Sequence, residues 1–295
     1  MMARLVTRRL LLAFLPFGGL VARSRHAWSA EATLAELERR HGGRLGVFAR
    51  DTGSNQFLAY RPEERFTLCS TFKMLLAAQI LARIDAHQED PARLVHFNAQ
   101  DLALAGYPDF ACPVTAANVK AGALSVRTLC EAMVEVSDNL AAILLMRSTG
   151  GPAALTRFIR SYGDLVTRSD RYEPASNTYD GIHDTTTPRA IVHSVETILL
   201  GKLLTAQSRQ LIERWMIASK PGARRLRASF PHNWVAGDRA GTYGPDETND
   251  YALVRPPGRA PLIVAAYYDA PVLDLDAREA VIREVGAVFV RWVDS

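Results

Sequence analysis

Residues 69–75 read CSTFKML, and the apolar run continues as LAAQILARI to Ile84. A serine and a lysine three residues apart therefore sit in a segment that otherwise reads as buried helix. Positions i and i+3 share a helix face, so Lys73 is expected to reach back toward Ser70. Ser70 falls in the first turn of a helix predicted over Ser70–Ala86, where free N–H groups and the helix dipole favour a developing oxyanion. A hydroxyl is a weak nucleophile and needs a base. An amine that is desolvated, or held near other cations, gives up its proton more readily. The pair is chemically sensible, yet S-x-x-K alone is common by chance, and a surface pair would read the same way.

The segments around this run set the fold class. Before it, TLAELERRHGG has helical spacing and stops at Gly42-Gly43. RLGVFARDTGSNQFLAYRP reads as two strands with a turn at Asp51 to Asn55. After it, apolar periodicity predicts helices over Ser125–Val136, Leu140–Arg147, Pro152–Tyr162, Thr187–Leu200 and Ser208–Ala218. Residues Phe97–Val119 and Asp164–Thr186 read as irregular. Strand signals return in NWVAGDRAG, DYALVRP and PLIVAAYYD, and a last helix is predicted over Asp274–Val293. Strands, then many helices, then strands predict an α/β fold, its antiparallel sheet built from both chain ends and flanked by helices, with an inserted all-helical lobe. The expected division is a signal peptide over 1–30, an α/β lobe over 31–68 and 219–295, and an all-helical lobe over 69–218.

The chain has 295 residues, 48% hydrophobic and 22% charged, which suits one large domain or two interleaved lobes. Its first 30 residues carry five arginines, no acids, an apolar stretch from Leu10 to Ala22 and small residues before a candidate cut after Ala30. That layout is a secretory leader. A short membrane anchor is the alternative, and Pro16, Gly18 and Gly19 argue against a stable spanning helix. TRRLLL also permits twin-arginine export. Without the leader the formal charge of +4 becomes −1, from 30 basic and 31 acidic side chains. The overall positive charge is therefore no argument for nucleic-acid binding. Cys69, Cys112 and Cys130 cannot all pair, so no disulfide framework is expected; one bridge is possible in an oxidising compartment, with Cys69 as a packed free thiol the default reading. The seven histidines show no ligand spacing, so no metal or other cofactor is expected.

Three more stretches bear on Ser70. VSDNL places Ser137, Asp138 and Asn139 at a helix end, where Ser137 can relay a proton and Asn139 can donate to an amide; a plain helix cap reads the same way. RYEPASN places Glu173 before Pro174, with Asn177 four residues on. A carboxylate on a stiff loop beside an amide can hold a water molecule; a solvated loop acid is the alternative. GDRAGTYG places Arg239 on a strand signal, followed by Gly241, where a substrate backbone can approach closely; the alternative is an edge-strand cation.

In this order, S-x-x-K, S-D-N, E-P-x-x-N and a cation-x-Gly strand resemble the class A β-lactamases. CSTFKMLLAA, SDNLAAILLM, GGPAALTRFIRS, HDTTTPRA and TNDYALV extend the resemblance over nearly all of the chain after the leader. It implies hydrolysis of the β-lactam amide of penicillins and related antibiotics through a serine acyl-enzyme. Ser70 would be the nucleophile, with Lys73 and Glu173 sharing the base work of acylation. Glu173 with Asn177 would activate the deacylating water, and Ser137 would pass a proton to the lactam nitrogen. Backbone N–H groups of Ser70 and Thr242 would form an oxyanion hole. Asn139 would hold the side-chain amide, and Arg171 would pair with Asp184 across the base of the Glu173 loop. The rivals are a penicillin-binding D,D-peptidase and a β-lactam sensor that stays acylated. An exported monomer, free of membrane once the leader is removed, is expected to act on small molecules.

The chain departs from the family pattern in ways that carry further expectations. The usual Lys-Thr-Gly is Arg239-Ala240-Gly241, which keeps a cation but loses a hydroxyl. The Arg171–Asp184 loop looks about two residues shorter than the common form. Ala111 stands where many members carry an aromatic gate, with Phe110 or Tyr107 as substitutes. Tyr243 takes the place of the cysteine that pairs with the Cys69 position in some carbapenem-hydrolysing members. Arg239 is expected to meet the substrate carboxylate, with Arg225 in place of a missing strand arginine, and Arg227 is expected to be structural.

Overall fold

The computed structural model describes residues 25–295 apart from Pro245, with side chains from Ser29 onward. Most of the expected leader therefore lies outside the described residues. The chain opens with α1 (Arg25–His41), which runs through the candidate cut after Ala30. Strands β1 (Arg44–Asp51), β2 (Phe57–Tyr60) and β3 (Phe66–Thr67) follow, then a 3₁₀ turn at Cys69–Thr71 and α2 (Phe72–Asp85). The middle of the chain holds β4 (Leu94–His96), α3 (Ala99–Leu104), α4 (Pro113–Ala117), β5 (Ala123–Ser125), α5 (Val126–Glu135), α6 (Asn139–Ser148) and α7 (Gly151–Ser161). After the Glu173 loop come β6 (Thr185–Thr186), α8 (Pro188–Leu199) and α9 (Ala206–Ile217). The chain closes with β7 (Val235–Asp238), β8 (Gly241–Tyr243), β9 (Glu247–Arg255), β10 (Leu262–Asp269) and α10 (Leu275–Val293).

The main sheet is antiparallel, in the order β2-β1-β10-β9-β7, with β8 on the same side of β9 as β7. Period-two alternation gives each strand two faces. Ile263, Ala265 and Tyr267 of β10 and Tyr251 and Leu253 of β9 join the cluster that contains α2, α5, α6 and α8. Their neighbours Leu262, Val264, Ala266, Ala252 and Val254 join the opposite cluster, with Leu34 and Leu37 of α1 and Val281, Val285 and Phe289 of α10. Helix α2 is buried from Phe72 through Leu81, as expected of a helix that is apolar nearly all round. Helix α8, inside the 69–218 segment, lies against β10 and β1.

Two expectations need correction. The segment Phe97–Val119 is not irregular throughout. Asn98 and Asp101 form a capping box that starts α3, and Pro113 opens α4. These helices span only six and five residues, too short for apolar periodicity to register. The helix expected from Ser70 begins at Phe72 instead. Cys69 has φ 46°, so the chain enters through a tight turn, and Ser70 sits in that turn at the N-terminal end of α2. Among the described residues no helix is long and apolar enough to cross a membrane.

Candidate active site

A cavity of about 540 Å³ opens between the sheet edge and the helical segments. Ser70, Ser137, Asn139, Ala240 and Thr242 line it, and Phe110 and Tyr243 stand at its wall. The local structure explains why these residues meet. Asp138 is fully buried and caps α6 through Ala141 N, while it also accepts from Val114 N, Thr115 N and the Thr115 hydroxyl. This anchor fixes Ser137, itself at φ 60°, and Asn139 on either side. On the opposite wall, β7 and β8 are one edge strand interrupted at Arg239-Ala240, both paired to β9. A Cβ on Gly241 would stand 3.0 Å from the Leu68 carbonyl and 3.1 Å from Ser70 N. Glycine is needed there for the strand to pass beside the Ser70 backbone.

Lys73 is completely buried. Its Nζ donates to the Ser137 carbonyl at 2.9 Å, to Ser137 Oγ at 3.2 Å and to Asn139 Oδ1, and lies 3.1 Å from Glu173 Oε2. None of these bonds goes to Ser70, contrary to the i+3 expectation. Ser70 Oγ instead donates to Glu173 Oε1 at 3.3 Å. Ser70 lies in the 3₁₀ turn that precedes α2, and Glu173 stands between it and Lys73, one carboxylate oxygen toward each. Burial pushes the Lys73 ammonium pKa down; Glu173 opposes this, and Arg239 adds to it.

Glu173 and Asn177 belong to a loop closed at its base. Arg171 Nε donates to Asp184 Oδ2 at 2.6 Å, and the Arg171 and Asp170 N–H groups bind Asp184 Oδ1 at 3.0 and 2.7 Å. The 3₁₀ turn Ala175–Asn177 buries Asn177, whose Oδ1 has no hydrogen-bond partner among the described residues. Cys69, Cys112 and Cys130 are buried free thiols.

The two arginines expected to meet a substrate carboxylate directly do not line the cavity. Arg239 is fully buried and donates through one terminal nitrogen to Ser137 Oγ at 2.7 Å. Arg225 lies behind β8 and donates to the Gly241 and Asn249 carbonyls at 2.8 Å each, to the Thr242 hydroxyl, and to Glu279 at 3.2 Å. Arg227 donates to the Ile217 and Ser219 carbonyls and pairs with the buried Asp238. The helix-cap reading of VSDNL holds for Asp138, which caps α6; what the sequence did not show is its second role, anchoring the start of α4 through Val114 and Thr115.

A larger and more open depression surrounds Arg83, His87 and Arg93. Its acids are engaged, Asp85 with Thr205 and Ser208, and Glu89 with Arg93.

A family model described as "Beta-lactamase enzyme family" matches residues 29–293. The chain belongs to the β-lactamase enzyme family. Among β-lactamases it resembles one from Streptomyces albus G, 43% identical over 241 residues, which covers 80% of this chain and 75% of that one. A carbapenem-hydrolysing β-lactamase KPC of Klebsiella oxytoca is 42% identical over 251 residues, covering 84% of this chain and 83% of its own. A solved β-lactamase structure from Burkholderia vietnamiensis has 58% identity and a TM-score of 0.88, covering 94% of this chain and 99% of that one. An ancestral class A β-lactamase superposes with a TM-score of 0.84 at 48% identity, over 88% of this chain and 98% of its own. Membership of the class A β-lactamases sets aside the D,D-peptidase and sensor readings.

Proposed function

We propose that this β-lactamase opens the β-lactam ring with Ser70 as nucleophile and clears the resulting ester with a water activated by Glu173. One observation supports this reading above the others: an unbroken polar chain runs from Ser70 Oγ to Glu173, on to Lys73 and then to Ser137 Oγ. In acylation, Ser70 Oγ bonds to the lactam carbonyl carbon and its proton passes to Glu173. Lys73 gives a proton to Ser137, which gives its own to the departing lactam nitrogen. Glu173 then returns a proton to Lys73. The carboxylate so regenerated takes a proton from water, with Asn177 as the second water ligand; the hydroxide bonds to the acyl carbon, the bond from that carbon to Ser70 Oγ breaks, and Glu173 returns the proton to Ser70 Oγ.

The other residues fit parts of the same reaction. The Ser70 and Thr242 backbone N–H groups form the oxyanion hole, and Gly241 keeps that gap open. Lys73 and Arg239 both donate to Ser137 Oγ, which leaves the Ser137 hydrogen free to point into the cavity. Asn139 has its Oδ1 engaged by Lys73 and offers its Nδ2 to the substrate's side-chain amide. The substrate carboxylate meets the Thr242 hydroxyl, which Arg225 holds and polarises. The enzyme is exported and acts as a monomer on small β-lactams.

The test is covalent trapping. Ser70→Ala should abolish turnover of benzylpenicillin without unfolding the protein. Glu173→Gln leaves Lys73 as the remaining base for acylation but removes the base of deacylation, so acylation should slow less than deacylation and an adduct should accumulate on the peptide that contains Ser70, read by mass spectrometry. Loss of about 4 kcal/mol of barrier lowering slows deacylation roughly a thousandfold. Turnover in Ser70→Ala, or an adduct on another peptide, would sink the mechanism.

A further inference from the structure

The face of β9 turned toward α2 carries polar groups that the proton path does not use. Asn249 and Tyr251 are alternate residues of that strand, so both point to this face, and both are fully buried. Asn249 Nδ2 donates to the Thr67 carbonyl at 2.9 Å, and the Tyr251 hydroxyl donates to the Thr71 carbonyl at 2.9 Å. Those two carbonyls flank Ser70 along the chain. Glu247, on the same face, accepts from the Thr67 hydroxyl at 3.1 Å. Burial pushes the Tyr251 hydroxyl pKa well above its ordinary range, so the group stays a donor.

The facing strand rests on β9 as well. Gly241 pairs with Asn249 and Thr242 with Thr248. Arg225 Nη1 donates to the Gly241 and Asn249 carbonyls at 2.8 Å each, which locks that register. The backbone ladder of β9 therefore places Thr242, and two side chains of β9 place the turn that holds Ser70. One strand decides where both N–H groups stand. The turn also needs holding, because Cys69 is a non-glycine residue at φ 46°. Such a conformation persists only where its surroundings over-determine it.

We propose that Asn249 and Tyr251 are positioning residues that set the gap between the Ser70 and Thr242 N–H groups. The inference rests on the reading of those two groups as the oxyanion hole. A donor that drifts from the developing oxyanion gives up stabilisation that counts in the transition state. Tyr251→Phe keeps the ring in the core and frees only the Thr71 carbonyl. The turn then relaxes away from β8, the gap widens, and the substrate carbonyl is polarised less. Acylation slows, while the contacts of intact substrate with Asn139 and the Thr242 hydroxyl are kept.

The experiment compares Tyr251→Phe and Asn249→Ala with Tyr267→Phe as a control. Tyr267 is equally buried, and its hydroxyl is hydrogen-bonded to Thr71 Oγ1 at 3.1 Å, so it reaches the threonine side chain and not its carbonyl. One readout is kcat/KM for benzylpenicillin. The other is the infrared stretch of the ester carbonyl in the Ser70 adduct, trapped by adding Glu173→Gln to each variant. Hydrogen bonds from the hole weaken the C=O bond and lower this frequency. Tyr251→Phe and Asn249→Ala should reduce kcat/KM about ten- to a hundredfold and move the stretch to higher frequency. Tyr267→Phe should lose thermal stability but leave both readouts close to those of the parent. Should Asn249→Ala fail to fold, Tyr251→Phe decides alone, since it removes a single hydroxyl. An unmoved stretch in Tyr251→Phe overturns the proposal whatever the melting temperature does, and so does a Tyr267→Phe that moves the stretch as far. A Glu173→Gln parent with no adduct on Ser70 defeats the functional reading and this inference with it, whereas an adduct whose stretch is the same in every variant defeats the inference alone.

Discussion

Arg225 carries its charge into a site that is only 2% exposed, and what it holds there is the rim of the cavity. Its donors satisfy two strand carbonyls, the Thr242 hydroxyl and Glu279, so the guanidinium fork is used on several sides at once. Truncation would leave Glu279 with Arg224 as its remaining cation and free Thr242 to rotate. Arg225→Ala should cost about 3 kcal/mol of stability, the low end for breaking a buried pair. It should also lower kcat/KM roughly ten- to a hundredfold, the worth of a charge-assisted contact. Because the contact is buried, the kinetic loss should be nearly independent of salt, unlike that of a surface arginine. A denaturation midpoint and kinetics at two salt concentrations check this. Wild-type stability with a salt-sensitive loss would return Arg225 to the surface role.

At the scale of elements, β9 brings an acid into the sheet. Glu247, opposite Tyr243 in register, is buried and accepts from the Thr67 hydroxyl at 3.1 Å, while its other oxygen has no hydrogen-bond partner among the described residues. Burial pushes its carboxyl up to about 7 from an ordinary 4.5, and Asp269 and Asp246 add to the rise. Between those values the folded state keeps a proton that the unfolded chain has released. Its contribution to stability is therefore full below about 4.5 and is lost as pH rises through about 7. Glu247→Gln should raise the denaturation midpoint relative to wild type at pH 8 and leave it unchanged at pH 4.5; equal shifts at both would show that the carboxyl does not titrate there. The same strand shows what sequence could reveal. DYALVRP was legible as a strand because it is short, turn-bounded and rich in β-forming residues. Ser70, Lys73, Ser137, Asn139 and Glu173 were legible because each lies in a short motif. The stack of Phe110 on Tyr243, the bond from Thr178 to the Tyr243 hydroxyl and the sixteen- and twenty-four-residue reach of Arg225 to Gly241 and Asn249 were not, because they join segments that only the folded chain brings together. The direction of Ser70 was also hidden, since a positive φ at Cys69 leaves no mark on apolar periodicity.

At the scale of the molecule, β1 has β2 on one side and β10 on the other, with Arg44 facing Asp269 and Asp51 facing Leu262. Removal of residues 260–295 would strip β1 and β9 of their shared partner and take α10 from the outer face of the sheet. A chain ending at Arg259 should therefore show no cooperative unfolding transition by circular dichroism, and a sharp transition would show that the helical segment folds alone. The pairing also constrains how the protein is born. About two hundred residues separate β1 from β10, and closing a loop of that length costs about 5 kcal/mol of chain entropy. At about 5–20 residues per second, β1 waits roughly 10–40 seconds for its partner strand to be synthesised. During that interval it offers an unpaired edge, so the nascent chain is a substrate for chaperones and proteases. A ribosome-stalled chain that stops at Arg259 should be cut rapidly by protease, whereas a stalled full-length chain on a long tether should resist.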